Sequence, residues 1–245
     1  MAKDFPFERR DHFPAGKMPG MNLLAIETST EAGSIALWRD GEILARECPP
    51  GVSHSETLLP LIRQTLAEAG VAFADLHGIA FGAGPGAFTG LRVACGVAQG
   101  LAFGKDIPLL PIGTLDAMAE ASGAERVIVA LDARMGEVYY GLFADGRALG
   151  PVGVYPPQGV PLPADGGWTA CGNGLAAYPL LGERLQPFVD HWQPALMPHA
   201  AAVARLAAPR LLAGERVDPA DAVPVYVRDK VAQTVAERLA AGGRA

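Results

Sequence analysis

The order of the predicted elements limits the possible folds of this chain more than any other feature of its sequence. The apolar run Asn22–Thr28 is followed by Ser34–Trp38 and Ile43–Glu47, which alternate apolar and polar residues on either side of an Asp40-Gly41 turn. Three antiparallel strands therefore open the chain. A helix, a strand and a second helix come next, with predicted bounds of 55–69, 78–82 and about 89–103.

The same order of elements returns, more loosely, in the second half of the chain. Strands are predicted over Arg126–Asp132 and Glu137–Ala144, with a third after the Asp145-Gly146 turn. A strand over Trp168–Cys171 and an Ala-rich helix over His199–Leu212 follow. A repeated unit of three strands, a helix, a strand and a helix predicts an α/β protein with two similar lobes, each holding a mixed sheet and helices.

This repeat suggests a division of the chain. Residues 21–123 form the predicted N-terminal lobe and residues 124–227 the C-terminal lobe. A last helix over 228–241 is predicted to pack back on the first lobe. Residues 1–20 carry three prolines and many charges without periodicity, so they are predicted to be a disordered extension, and Met21 becomes a second candidate for the start of translation.

Composition excludes several classes of function. The net charge of −6 disfavours strong independent binding of nucleic acid, which requires Lys and Arg against phosphates. No apolar run reaches the length of a membrane span, and the first twenty residues lack the apolar core of a signal peptide. The three cysteines, Cys48, Cys95 and Cys171, form no CxxC and are predicted to be reduced thiols in a cytoplasmic protein.

A glycine-rich loop, 82–90, joins the strand over 78–82 to the helix that follows. Its backbone amides could hold an anion at the start of that helix, although no GxxxxGK[ST] motif is present. The alternative is a tight turn that lets the helix pack against the sheet. A second short glycine motif, Gly172–Ala177, lacks the βαβ surroundings of a dinucleotide site.

The helix after this loop is apolar on nearly every side, with Arg92 and Gln99 its only strongly polar residues. Such a helix is buried on both sides. One side would cover the sheet, and the other would meet either the helix over 55–69 or a partner subunit. The sequence leaves a core helix and an interface helix equally open.

Metal and acid–base chemistry have little support. The five histidines form no HExxH pair, and no GxSxG motif is present. Glu27-Thr28-Ser29 and Asp132–Glu137 occupy equivalent turns of the two repeats. They are interpreted either as structural turns or as the two sides of a binding cleft.

Four motifs, in order, resemble the TsaB family, also called YeaZ. They are Leu24–Thr30, Gly84–Arg92 with Gly100-Leu101-Ala102 after it, Asp132–Tyr139, and Pro224–Arg228. The similarity runs from about 22 to 230. It implies a duplicated fold like that of actin, sugar kinases and heat-shock chaperone ATPases. It also implies that the two turns face each other as a vestigial phosphate cleft formed by Glu27, Thr28, Ser29, Gly84, Gly86, Asp132 and Arg134.

The resemblance further implies a non-catalytic subunit. It would work with the transferase TsaD and the ATPase TsaE to move threonylcarbamoyl to an adenosine in tRNAs that read codons beginning with A. TsaD carries an HxxxH metal pair after the strand that follows its glycine-loop helix. Here Thr114 and Met118 stand at those two positions, and neither replaces an imidazole on a catalytic metal.

The implied partners are TsaD and TsaE, with a homodimer when the chain is alone and only indirect contact with tRNA. No cofactor is expected, and ATP or ADP would bind only in complex with the partners. The partner surface is placed on the helices over 55–69 and 89–103. Its predicted contact residues are Leu58, Leu59, Ile62, Leu66, Leu91, Cys95 and Gln99. The alternatives are an ATP-binding enzyme or ATPase of the same fold and, with less support, a metalloprotease.

Overall fold

Two mixed β-sheets, each covered by helices on both faces, form the core of the protein in a computed structural model that describes residues 20–228. The predicted two-lobed fold class is confirmed. The predicted extension over 1–20, apart from its last residue, and the predicted last helix over 228–241, apart from its first residue, lie outside the described residues.

The strands of the first sheet, and the helices that connect or directly follow them, come from the first half of the chain. Its strands are β1 (Asn22–Glu27), β2 (Ser34–Arg39), β3 (Glu42–Glu47), β4 (Gly78–Gly84) and β5 (Leu109–Gly113). Its helices are α1 (His54–Glu68), α2 (Phe88–Phe103) and α3 (Thr114–Ser122). The strand order is β3-β2-β1-β4-β5, in which β1 to β3 are antiparallel and β4 and β5 run parallel to β1.

The second sheet repeats this plan. Its strands are β6 (Arg126–Asp132), β7 (Val138–Ala144), β8 (Arg147–Ala148), β9 (Gly153–Tyr155), β10 (Trp168–Cys171) and β11 (Val189–Gln193). The helices of this half of the chain are α4 (Gly174–Ala177), α5 (Pro179–Leu185) and α6 (Ala200–Leu212). The order is β11-β10-β6-β7-β8, with β9 also paired to β7, and β6 takes the place that β1 has in the first sheet.

Strand β1 shows why both faces of the first sheet are covered. All six of its residues are buried, and successive side chains point to opposite faces. Leu24 and Ile26 pack in the cluster that includes residues of α1 and α2. Leu23 and Ala25 pack in the cluster that includes residues of α6. The apolar run in the sequence thus reflects a central strand between two helical layers.

Helix α6 requires a correction to the predicted division of the chain. It belongs to the predicted C-terminal lobe, but it packs on the first sheet, where Ala204, Ala207 and Val203 are fully buried against β1 and β2. The backbone amide of Ala200 also donates to the Ser34 hydroxyl at 2.9 Å. Small side chains allow this close approach of helix and sheet, and nothing in their pattern indicates which sheet they cover.

Helix α3 makes the corresponding exchange in the other direction. Leu115 and Met118 pack against Val127 and Val129 of the second sheet, while Ala117 joins the cluster beneath α6. Each sheet is therefore followed by a helix that packs on the other lobe, and α3 and α6 also contact each other. The strands before and after the predicted boundary at residues 123 and 124 belong to different sheets, whereas α3 and α6 each pack across that boundary.

Helices α1 and α3 each have one unusual local feature. Pro60 lies inside α1, which starts at His54 and is followed by Gly70 at φ +64°. Thr114 is the first residue of α3 and not its cap, because Gly113 takes the cap position and the Thr114 hydroxyl has no hydrogen-bond partner. Within residues 20–228, no helix has the length and apolar character needed to cross a membrane.

The start of α2 provides a test of the packing. A Cβ at Gly90 would lie 1.8 Å from the Thr28 carbonyl oxygen, whereas a Cβ at Gly100 of the same helix meets nothing within 4 Å. We expect Gly90→Ala to lower the free energy of unfolding by roughly 2–3 kcal/mol, since backbone must move to relieve the overlap. Gly100→Ala should raise it by about 0.5–1 kcal/mol, because alanine is the better helix former. Urea denaturation of both variants checks this, and equal effects would contradict the packing described.

Candidate functional site

A cavity of about 220 Å³ lies between the two lobes, where the turn after β1 faces the turn after β6. It is called the cleft here. Across it, Arg134 Nη2 lies 3.7 Å from Glu31 Oε2, and both side chains are more than two-thirds exposed. The cleft is lined by residues of four segments: Ser29–Glu31, Pro85–Phe88 with Leu91, Leu131–Met135 with Tyr139 and Asn173, and Val225–Arg228.

The structure brings together only part of the predicted cleft set. Ser29, Gly86, Asp132 and Arg134 line the cavity. The other three predicted residues lie elsewhere, and their placement in the cleft wall is corrected. They are Glu27 and Thr28, both fully buried beneath the loop, and Gly84, which contacts the backbone of Val225.

Asp132 is the more buried of the two acidic residues that line the cleft, and both of its carboxylate oxygens already have partners within the chain. Oδ1 accepts from the Tyr178 hydroxyl and from the Arg134 amide, both at 2.8 Å. Oδ2 lies 3.1 Å from Arg134 Nη1, and the side chain is only 10% exposed. The Asn173 side chain accepts from the Asp132 amide at 2.9 Å. Burial, together with the hydrogen bond to Asp132, raises the pKa of Tyr178, so this hydroxyl remains a donor.

Glu27 is buried and stabilises the turn after β1 through a hydrogen bond to the Ser29 amide. Its Oε1 accepts a hydrogen bond from the Ser29 amide at 2.5 Å, while Oε2 has no hydrogen-bond partner. A Cβ on Gly82 would lie only 2.0 Å from Oε2, so glycine is needed there to make room for the carboxyl. Burial raises the pKa of Glu27, although hydrogen bonds at Ser29 and the nearby His54 act to lower it. A carboxyl in these surroundings favours its neutral form. Glu27 thus stabilises the turn and does not reach the cleft.

The glycine loop is in close contact with the turn after β1. The Ala87 amide donates to the Ser29 carbonyl at 2.7 Å, and a Cβ at Gly86 would lie 2.5 Å from the Ser29 Cβ. The Thr28 hydroxyl donates to the Gly90 carbonyl at 2.8 Å. Because these groups are used in packing, the geometry favours the tight-turn interpretation of the loop over an anion cradle.

The predicted partner residues on α1 and α2 are mostly internal. Five of them have exposed fractions of 6% or less, so they cannot form a surface in this conformation: Leu58, Ile62, Leu66, Leu91 and Cys95. Their spacing places them on the sides of α1 and α2 that face the sheet. Gln99 donates to the carbonyls of Pro219 and Ala222, both at 2.9 Å. Leu59, at 47% exposed, is the one member of the set on the outer surface.

The outer face of α2 carries residues that the predicted contact set omitted. Gly96 and Gly100 are exposed, with nothing within 4 Å of a Cβ on either, and Phe103 is 74% exposed. Val93 and Val97 are half-buried beside them. These five residues, at spacings of three and four, form a shallow apolar surface on one side of the helix. The small residues at positions 96 and 100 were the sequence signal for this surface.

Comparisons with known proteins match part of the chain to one family model and most of it to proteins named TsaB. The family model for TsaD, tRNA N6-adenosine threonylcarbamoyltransferase, matches residues 51–149. The chain is 37% identical over 229 residues to the tRNA threonylcarbamoyladenosine biosynthesis protein TsaB of Escherichia coli strain K12, covering 86% of this chain and 96% of that protein. It is 34% identical over 231 residues to the protein of the same name from Haemophilus influenzae, covering 87% of this chain and 96% of that protein.

Two solved structures from Pseudomonas aeruginosa have the same fold. One is described as an uncharacterized protein with similarity to peptidase YEAZ; it is 41% identical, superposes with a TM-score of 0.78, and the match covers 85% of this chain and 100% of that one. The other, described as YeaZ, is 41% identical with a TM-score of 0.77, covering 84% of this chain and 99% of that one.

The buried carboxyl of Glu27 predicts a pH dependence. Its pKa in the folded protein lies above the value of 4.5 for an unperturbed glutamate, so folding favours the protonated form. The contribution of Glu27 to stability should be fully present below pH 4.5 and decline as pH rises through the folded pKa, by about 1.4 kcal/mol for each unit of elevation.

The matched variant is Glu27→Gln, which keeps the acceptor for Ser29 and cannot ionise. The difference in unfolding free energy, wild type minus variant, should fall from pH 4 to pH 8, as measured by urea denaturation. A difference that rises with pH, or stays constant, would contradict a raised pKa for Glu27.

Proposed function

This chain belongs to the TsaB family, and from that membership we propose that it takes part in the synthesis of threonylcarbamoyladenosine in tRNA as a non-catalytic subunit. In this role it activates and supports the transferase TsaD, together with the ATPase TsaE, in the cytoplasm. The observation that carries the proposal is the loss of metal-binding side chains where the TsaD motif has them.

Thr114 and Met118 occupy those two positions, and both are fully buried. A Cβ on Gly172 would lie 2.9 Å from the Met118 methyl, so this side chain fills space between α3 and the second sheet. Neither side chain is a ligand that a catalytic metal prefers. Within residues 20–228 there is no group of three or more His, Cys, Asp or Glu that could hold a metal ion, which also disfavours a metallopeptidase.

The occupied state of Asp132 disfavours the alternative, an ATPase of the same fold. A carboxylate that activates water or holds a metal ion needs open coordination positions, and Asp132 uses its oxygens on Tyr178 and Arg134. The glycine loop likewise uses its Ala87 amide on Ser29. We therefore propose that the lone chain has no nucleotide cofactor, and that ATP or ADP is held only in complex with the partners.

The outer face of α2 is more accessible to a partner than the predicted contact residues are. Two exposed glycines four residues apart let a partner backbone approach closely, and Phe103, with Leu59 on the adjacent helix α1, supplies apolar area. We propose that TsaD docks on this face, that a second copy of the chain uses it when TsaD is absent, and that TsaE joins the TsaD complex. With a net charge of −6, contact with tRNA is indirect.

The docking face can be tested with one pair of glycine variants. Gly96→Leu adds a side chain on the outer face of α2, where nothing lies within 4 Å of the Cβ position, and Gly182→Leu does the same on α5 of the other lobe. We expect Gly96→Leu to weaken binding of TsaD at least tenfold in calorimetric titration, because the partner helix can no longer approach. Gly182→Leu should bind like the wild type. If both variants keep wild-type affinity, TsaD docks elsewhere.

The division of labour can be tested by reconstitution. TsaD, TsaE, tRNA, ATP and threonylcarbamoyl-adenylate are combined with or without this chain, and modified adenosine is counted by mass spectrometry of the digested tRNA. We expect modified adenosine to accumulate only when the chain and TsaD are both present. The chain alone should neither modify tRNA nor turn over ATP. Sustained ATP hydrolysis by the chain alone would support the ATPase alternative.

A further inference from the structure

A short segment near the end of the described chain, residues 223–228, crosses from one lobe to the other beside the cleft. It is called the strap here. The Val225 amide donates to the carbonyl of Ala83, in β4, at 2.7 Å. The Val225 carbonyl lies 2.5 Å from where a Cβ on Gly84 would be, and Gly84 has φ +120°. Only glycine combines this backbone conformation with so close a contact, so Gly84 allows the strap to pack directly against the glycine loop.

The strap is held a second time on the first lobe, at the start of α2. The Tyr226 hydroxyl accepts from Arg92 Nε at 3.1 Å, and the ring centroids of Tyr226 and Phe88 are 5.3 Å apart. The Arg92 guanidinium carbon lies 3.7 Å from the Phe88 ring centroid. Three side chains thus restrain one another through a hydrogen bond, a ring–ring contact and a cation–π contact.

The strap then reaches the second lobe through Arg228. Its guanidinium forms an ion pair with Glu137, at the turn that leads into β7, and its Nη1 lies 3.6 Å from Met135 Sδ. The two charged side chains are 16% and 35% exposed. An ion pair that is mostly shielded from water is screened less by salt than one on the surface.

The other contacts across the cleft are weaker. Arg134 and Glu31 are 74% and 70% exposed, and exposed pairs contribute little. The Tyr139 hydroxyl is 3.5 Å from the Gly86 carbonyl, at the limit of a hydrogen bond. Among these contacts, the Arg228–Glu137 pair is the best placed to resist separation of the two turns.

We propose that the strap is a latch, and that the Arg228–Glu137 ion pair holds the two lobes closed over the cleft. The strap stays attached to the first lobe through Val225 and Tyr226, so loss of the ion pair frees the second lobe while leaving the strap in place. The cleft then opens between the turns that carry Ser29 and Asp132. Two lobes that meet at a cleft commonly move by a hinge of this kind.

The test measures the distance between the lobes in the full chain. Cysteines replace Arg63 on α1 and Glu183 on α5, both exposed, and carry spin labels, while the three native cysteines are buried. Pulsed electron paramagnetic resonance should give one narrow distance for the parent protein. Arg228→Ala and Glu137→Ala should each add a longer distance, with an open population at least fivefold above that of the parent.

Two further variants separate the latch from a general loss of stability. The double exchange Arg228→Glu with Glu137→Arg restores an ion pair and should restore the narrow distance. Arg46→Ala removes another arginine–glutamate pair, formed with Glu68 within the first lobe, and should leave the distance unchanged. The proposal is overturned if both single variants keep the parent distance, if the double exchange stays open, or if Arg46→Ala opens the cleft equally.

Discussion

The close approach of the glycine loop to the turn after β1 is the contact on which the arrangement of the first lobe depends. Gly82 makes room for the Glu27 carboxyl, Gly86 for Ser29, and Gly90 for the Thr28 carbonyl oxygen. These contacts fix where α2 begins and how it is rotated about its axis. The rotation directs Leu91 and Cys95 to the sheet and leaves Gly96 and Gly100 outside. A packing contact therefore selects which face of α2 remains for a partner.

Local sequence signals predicted most of the strands and helices, because each depends on residues close in the chain. The Asp40-Gly41 turn fixed the hairpin of β2 and β3, and the apolar runs marked β1 and β6. Strand β11 was missed since Asp190, His191 and Trp192 are exposed on an edge strand and show no alternation. The packing partner of α6 could not be predicted, because an alanine-rich surface fits either sheet.

The roles of individual side chains were harder to predict than the positions of strands and helices. The sequence placed Glu27 and Asp132 in equivalent turns, and the structure separates them by burial: one is sealed under a loop, and the other reaches the cleft with its oxygens occupied. For α1 and α2, the apolar stripe was correctly predicted but assigned to the partner side instead of the sheet side. A helix that is apolar all round contains no sequence signal for which side its own sheet will cover, and tertiary packing decides this.

The exchange of α3 and α6 between lobes also sets an order for folding during synthesis. All five strands of the first sheet have been synthesised once Gly113 is added, yet the face that holds Leu23 and Ala25 is covered mainly by a helix that starts only at Ala200. Until then, that apolar face is open to chaperones or to other nascent chains. The two lobes, although alike in plan, therefore each depend on a helix from the other half of the chain to cover their sheets.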